Sequence, residues 1–320
     1  MTPTHAFRTA SRLGLATTLL MFGLIVVGSV VRTTASGLAC PDWPLCEGRL
    51  IPRFEPHVLI EWFHRLLALL VSLLVFATVA WTLVHPSVRA RLGGLAALAV
   101  GLLLAQVLLG ALTVWKLLSP AVVGSHLAVA LLLFSTLLAL TLVARIAAED
   151  APEGPGAEPP RVRPPGLLPT FGFATALAYV QCLLGGLVSS NHAGLACPDW
   201  PTCDGQWFPP LEGAVGLQMM HRWGAYLLTV ILLVTAARAR TALDPGVRAG
   251  GSMAAALTFI QIVLGVSSVL MGTPPWLSAL HLANAAAILA MLVTITCRTA
   301  SLPGATAGPA RSRDTAEVMA

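Results

Sequence analysis

Charge is what this sequence has least of. Only 10% of its 320 residues are Asp, Glu, Lys or Arg, while 56% are hydrophobic, well above the roughly half that a soluble domain carries. Water is therefore excluded as the main solvent. The formal net charge is +5, and the basic residues collect in short segments between apolar runs, where they report orientation in a membrane rather than a nucleic-acid surface. No amphipathic leader rich in Arg and Ser precedes the first apolar run, which favours a bacterial plasma membrane over an organelle. A secretion or lipoprotein signal ending at Cys40 is excluded too: the run is full-length, and Gly37 to Pro44 recurs word for word at Gly194 to Pro201.

What the chain has in plenty is long apolar runs. A helix needs ~20 mostly apolar residues to cross a bilayer, because lipid offers no partner to an open backbone amide. Eight stretches qualify: Leu13 to Val31, Val58 to Val84, Leu92 to Trp115, Ala121 to Ala144, Leu168 to Val188, Ala214 to Ala237, Ala249 to Met271 and Leu277 to Cys297. With both termini cytoplasmic, 13 of the 19 basic residues fall on the inner side, among them Arg89, Arg91, Arg238, Arg240 and Arg248.

The eight stretches are two copies of four. Adding 157 carries Gly28 to Gly185, Cys40 to Cys197, Cys46 to Cys203, His64 to His221 and Arg65 to Arg222; from the third stretch on, adding 155 carries Gln106 to Gln261, Gly110 to Gly265 and His126 to His281. An even number of spans per copy returns the chain to its starting side, so the second copy enters as the first did. The expected fold is an all-α membrane protein of two tandem, parallel four-helix bundles related by a pseudo-twofold axis along the membrane normal. The halves cover residues 1–147 and 168–300, with a cytoplasmic linker rich in Pro, Gly and charge over 148–167 and a cytoplasmic tail over 301–320.

Four of the eight histidines, His64, His126, His221 and His281, lie about five residues into even-numbered stretches, which at ~1.5 Å per residue puts them at one depth, ~8 Å below the outer boundary. Ionisable side chains in lipid are costly and face a bundle interior. Membrane histidines often do no more than hydrogen-bond between helices, but equal depth and exact repetition point to a ligand set: His64 with His126 and His221 with His281, each an axial pair for haem iron. Zinc calls for three or four ligands, and no intramembrane Cys or carboxylate joins these histidines in both halves. Arg65 and Arg222 each follow a ligand, where a guanidinium suits a haem propionate or simply anchors a helix end.

The halves differ beside these ligands. Glu61 lies three residues before His64, on the same helical face, whereas the counterpart before His221 is Gln218. One half thus keeps a group able to move a proton or act as a nucleophile, and the other does not. In the outer loops, Cys40 with Cys46 and Cys197 with Cys203 form C-x5-C pairs on the oxidising side, so a disulfide is expected in each, as a loop staple or as a redox couple. Gln106, Gln181 and Gln261, each shortly before Leu-Gly, read as helix packing.

Taken together, the two four-helix halves, the CPDWPLC and CPDWPTC loops, E-x-x-H-R in the second stretch and one histidine in each of the fourth, sixth and eighth resemble the haem A synthase family from about Leu13 to Cys297. The resemblance implies oxidation of the C8 methyl of haem O to the formyl group of haem A for terminal cytochrome oxidases. It implies a first half that receives haem O between His64 and His126, with Glu61 catalytic, and a second half that holds a resident haem b between His221 and His281. Haem O synthase as substrate donor, the cytochrome oxidase assembly machinery and membrane lipid are the implied partners, with no nucleic acid. Two other readings stay open: a di-haem b-type electron-transfer cytochrome oxidising quinol, which leaves Glu61 opposite Gln218 unexplained, and a transporter of parallel repeats, for which no stretch is broken near the midplane.

Overall fold

A computed structural model describes residues 2–149 and 162–304. Its described residues form eight α-helices: α1 (Pro3–Thr33), α2 (Pro56–Val84), α3 (Pro86–Trp115), α4 (Pro120–Glu149), α5 (Leu167–Ser190), α6 (Gly213–Ala239), α7 (Pro245–Leu270) and α8 (Pro275–Ser301). All eight are long and apolar enough to cross a membrane. Six begin on proline, whose missing N–H and preset φ suit the first helical position. Leu69, Leu73, Phe76, Leu104, Phe259 and Val263 face outward, the surface a lipid solvent accepts. This is an all-helical, multi-pass membrane protein.

The helices run past the apolar stretches, chiefly at the N-terminal ends of odd helices and the C-terminal ends of even ones. α1 starts ten residues before Leu13: Thr2 caps it by accepting from the His5 N–H (3.4 Å), and Ala6, Phe7 and Ala10 are buried. Hydropathy stops at Arg8 and Arg12, but backbone hydrogen bonding does not. For the same reason α4 continues to Glu149, so Ala148 and Glu149, expected in the linker, are helical. The rest of that linker up to residue 161, and the tail beyond residue 304, lie outside the described residues.

In the first half, α1 packs on α2 and α4 while α3 packs on α2 and α4; α5 to α8 repeat these neighbours. Small polar side chains recur at matching places. The Thr18 and Thr141 hydroxyls meet at 3.4 Å between α1 and α4, and their counterparts Thr175 and Thr296 meet at 3.0 Å between α5 and α8. The halves touch through α4 against α8, α1 against α8 and α4 against α5. There Arg32 donates to the carbonyl of Ser189, its own counterpart in the repeat, and the Tyr179 hydroxyl donates to the Ala128 carbonyl at 3.1 Å.

Close packing of α1 on α4 rests on Gly14, where a methyl group would lie 2.5 Å from Thr141 Oγ1. Gly14→Ala should therefore cost about 1–3 kcal/mol, read as a lower unfolding temperature in detergent. Gly23→Ala, which meets nothing within 4 Å, should leave that temperature unchanged.

Candidate functional site: four imidazoles beneath two stapled loops

Each outer loop is closed by a disulfide, Cys40–Cys46 and Cys197–Cys203, both with Cα atoms 4.7 Å apart. Cys46 and Arg49 exchange backbone hydrogen bonds across a turn whose central residues, Glu47 and Gly48, both have positive φ; Cys203 and Gln206 do the same across Asp204 and Gly205. An aspartate secures each turn from inside. Asp42 accepts from the N–H groups of Glu47 (2.6 Å) and Gly48 (2.7 Å), and Asp199 from those of Asp204 (2.8 Å) and Gly205 (3.1 Å). The Thr202 hydroxyl adds a 2.6 Å bond to Asp199. With the Gly205 amide it holds that carboxyl at about 2, below its ordinary 3.8.

The loops are tied to the helices beneath them by arginine. Arg65 donates to the carbonyls of Asp42 (2.6 Å), Leu45 (2.5 Å) and Cys40 (3.0 Å) and to Glu61 Oε1 (2.5 Å). Arg222 donates to the carbonyls of Cys197 (2.6 Å) and Thr202. Both guanidinium groups, which the sequence offered as propionate partners or helix-end anchors, bind the loop carbonyls. Arg65 makes four bonds through its two terminal nitrogens, which saturates their donors. Position in the chain cannot separate the two roles, because loop carbonyls and propionates would lie on the same side of a helix end.

Glu61 belongs to the same knot. It is only 4% exposed, and beside its Arg65 bond its Oε2 accepts from the Cys40 N–H at 2.8 Å. The carboxyl group is therefore fixed at both oxygens beneath the first disulfide loop. Gln218 in the second half donates to the Gly194 carbonyl at 3.2 Å and has an unpaired Oε1 among the described residues.

The four histidines sit eight, six, eight and six residues after the first residue of α2, α4, α6 and α8. Each ring presses its Cε1 edge against a glycine of the preceding helix. A methyl group at Gly28 would lie 3.2 Å from Cε1 of His64, at Gly110 3.4 Å from that of His126, at Gly185 3.0 Å from that of His221 and at Gly265 2.9 Å from that of His281. Sequence reasoning misses these glycine seats, although their signal is there: a glycine at matching positions of all four odd helices. The His221 and His281 ring centroids are 6.5 Å apart. Two imidazoles on opposite sides of one first-row metal stand at about that spacing, given metal–nitrogen bonds of ~2 Å. Among the described residues no cluster of three or more His, Cys, Asp or Glu is placed to hold an ion, so each pair offers two ligands, the number a porphyrin leaves open.

In the second half each ring has an amide partner. The Gln181 amide nitrogen lies 2.9 Å from His221 Nδ1 and donates to the His221 carbonyl at 2.8 Å. That of Gln261 lies 3.2 Å from both ring nitrogens of His281. In the first half, Gln106 approaches His126 Nε2 at 3.2 Å, while His64 Nδ1, His126 Nδ1 and Gln106 Oε1 are buried with no partner among the described residues.

A family model described as cytochrome oxidase assembly protein, COX15-CtaA, matches residues 11–58 and 52–293. The chain belongs to this family. Among its relatives, the haem A synthase of Shouchella clausii is 32% identical over 230 residues, covering 70% of this chain and 73% of the relative. That of Symbiobacterium thermophilum is 32% identical over 255 residues, covering 78% and 82%. The haem A synthase of Shewanella oneidensis is 30% identical over 322 residues, covering 86% and 93%. The COX15-CtaA match spans both histidine pairs, both disulfide loops and Glu61.

Two outcomes follow from this geometry. Gly265→Ala, whose methyl would sit 2.9 Å from the ring, should displace His281 and lower haem content per polypeptide, whereas Gly110→Ala, at an ordinary 3.4 Å, should change it far less. Because the folded Asp199 value lies below 3.8, its contribution to loop order is complete above about pH 4 and fades as pH falls towards about 2. Thr202→Val should move that loosening to higher pH, read by amide hydrogen exchange over residues 197–206.

Proposed function

We propose that this protein takes haem O into its first half and oxidises the C8 methyl to the formyl group of haem A, which terminal cytochrome oxidases use. The observation that carries this reading is two matched imidazole pairs of which only the first has a buried carboxylate held beside it. The names of the relatives support the reaction, and the two-ligand donor sets fit haem. In this reading His64 and His126 flank the substrate iron, while His221 and His281 hold a resident haem b that supplies electron transfer when bound.

Glu61 is the catalytic group. Loss of two electrons and a proton from the methyl, the electrons passing to an acceptor outside this protein, leaves its carbon electron-poor; a fixed carboxyl group stabilises that charge or captures the carbon before water releases an alcohol, and a second two-electron oxidation to the same acceptor gives the formyl group. Arg65 and the Cys40 N–H hold and aim the carboxyl group, and the stapled loop above limits access of water. Haem O synthase is the donor of a substrate too insoluble to diffuse freely. The arrangement in the membrane is two parallel bundles, residues 1–147 and 168–300, about a pseudo-twofold axis along the normal with both termini cytoplasmic. It is supported by the pairing of α4 with α8, by α1–α8 and α4–α5 contacts that exchange under the repeat, and by the inner-side arginines.

The test is chromatography of haems extracted after expression with and without a haem O synthase. Haem A should appear only with it; a visible haem b spectrum with no haem A under either condition would return the protein to the electron-transfer cytochromes. Glu61→Gln, which copies Gln218, should keep resident haem b yet cut haem A by ~10² to 10³-fold. His64→Ala and His126→Ala should likewise keep haem b and lose turnover, whereas His221→Ala and His281→Ala should lose most haem b.

A further inference from the structure

The glycine seats are the second part of a longer pattern. Gln106 precedes Gly110 by four residues, Gln181 precedes Gly185 and Gln261 precedes Gly265, so in α3, α5 and α7 an amide lies one helical turn before the seat, on the same face. In α1 the corresponding residue, ahead of Gly28, is Leu24. His64, the imidazole facing that seat and the one nearest Glu61 in the chain, is the histidine with no amide partner among the described residues.

The second half also braces its amides, and the first does not. Gln181 fills a notch at Gly224, where a methyl group would collide with its Oε1; the first-half counterparts are Leu24 and Leu67, an apolar pair in place of amide and notch. Gln261 Oε1 accepts from Asn284 Nδ2 at 2.7 Å, and Asn284 is itself held by the Leu257 carbonyl at 2.9 Å. The counterpart of Asn284 is Val129, which has no donor to offer, and the Oε1 of Gln106 has no partner among the described residues.

We propose that Gln181, and Gln261 braced by Asn284, are positioning residues that make His221 and His281 permanent iron ligands, and that Leu24 and Val129 leave His64 and His126 as exchangeable ones. This rests on the two-haem reading above. The Gln181 and Gln261 amide nitrogens face the rings and donate to the backbone carbonyls of the same histidines, with each Oε1 turned away to the Gly224 notch or to Asn284, so each side chain fixes the orientation of its imidazole. Leu24 offers no such hold, and Val129 leaves the Gln106 amide unbraced. A site that must take in haem O and release haem A gains from ligands that let go, and a site that keeps its haem gains from ligands that do not.

The experiment uses the purified full-length protein and reads haem b bound per polypeptide and its reduction midpoint. Gln181→Leu, which copies Leu24, should weaken retention of haem b ~10- to 100-fold and raise the midpoint, because an imidazole no longer held in place donates less to ferric iron. Gln181→Glu should retain haem and lower the midpoint, and this reversal of sign is one that loss of packing would not produce. Asn284→Ala, a small change that keeps the fold within reach should Gln181→Leu misfold, should shift retention and midpoint in the same direction as Gln181→Leu by a smaller amount. Unchanged haem content and midpoint in Asn284→Ala and in any folded Gln181→Leu, with His221→Ala emptying the site, would overturn the amide role and leave the haem assignment standing. Retention of haem b by both His221→Ala and His281→Ala would instead sink the haem assignment itself.

Discussion

An imidazole buried among membrane helices needs room before it needs a partner, and here the room comes from one hydrogen atom. Each of the four rings lies with its Cε1 edge at contact distance from a glycine on the preceding helix. That close approach dictates which helices pair, α1 with α2, α3 with α4, α5 with α6 and α7 with α8, and at what depth. A side chain larger than a methyl at any seat would push ring and helix apart. The bundle interior is otherwise filled by Leu, Val, Ala and Thr, so the seats are where the fold yields packing to chemistry.

The loop above α2 is coupled to its ring through a single turn of helix. Glu61, His64 and Arg65 lie within five residues of one another, and the first and last of them bind the backbone around Cys40. Disulfide loop, acid and imidazole are therefore joined through one turn of α2. Two buried hydrogen-bonded charges are costly to separate, since losing either leaves the other unpaired. Arg65 thus holds both Glu61 and the loop over it, which is a stronger constraint on Glu61 than the helix-end position alone suggests. In the second half the same arginine anchors the loop, but to a neutral amide's neighbourhood, so the loop closes without an acid beneath it.

Much of this was legible in the residues. Eight apolar runs, the 157-residue repeat, four histidines at one depth, the cysteine pairs and Glu61 opposite Gln218 all follow from spacing, because spacing along a helix maps directly onto depth and face. The ends of the helices were not legible: Phe7 and Ala10 are buried although Arg8 and Arg12 interrupt the apolar run, since an amphipathic turn below the bilayer packs by one face only. The use of Arg65 and Arg222 was not legible either, because a loop's path decides whether its carbonyls reach a guanidinium first. Gln181 looks like Gln106 and Gln261 in a local window. Its meaning appears only when the repeat is laid over it, where its counterpart is Leu24 rather than another glutamine.

That comparison locates where the two copies have parted. The disulfides, turn aspartates, arginine anchors, glycine seats and imidazoles are the same in both, so the scaffold of a two-ligand site is common property. Among the differences between the copies, four bear on the rings: Glu61 against Gln218, Leu24 against Gln181, Leu67 against Gly224, Val129 against Asn284. All but the first concern how firmly an imidazole is held, and the first concerns whether an acid stands beside it. A carboxylate next to an iron site is useful only if the molecule being altered can afterwards leave, and ligands without firm amide partners meet that requirement. On the proposed reading, Glu61 and the Nδ1 atoms of His64 and His126, which have no partner among the described residues, serve one requirement, reaction followed by release, and they occur together in the first half.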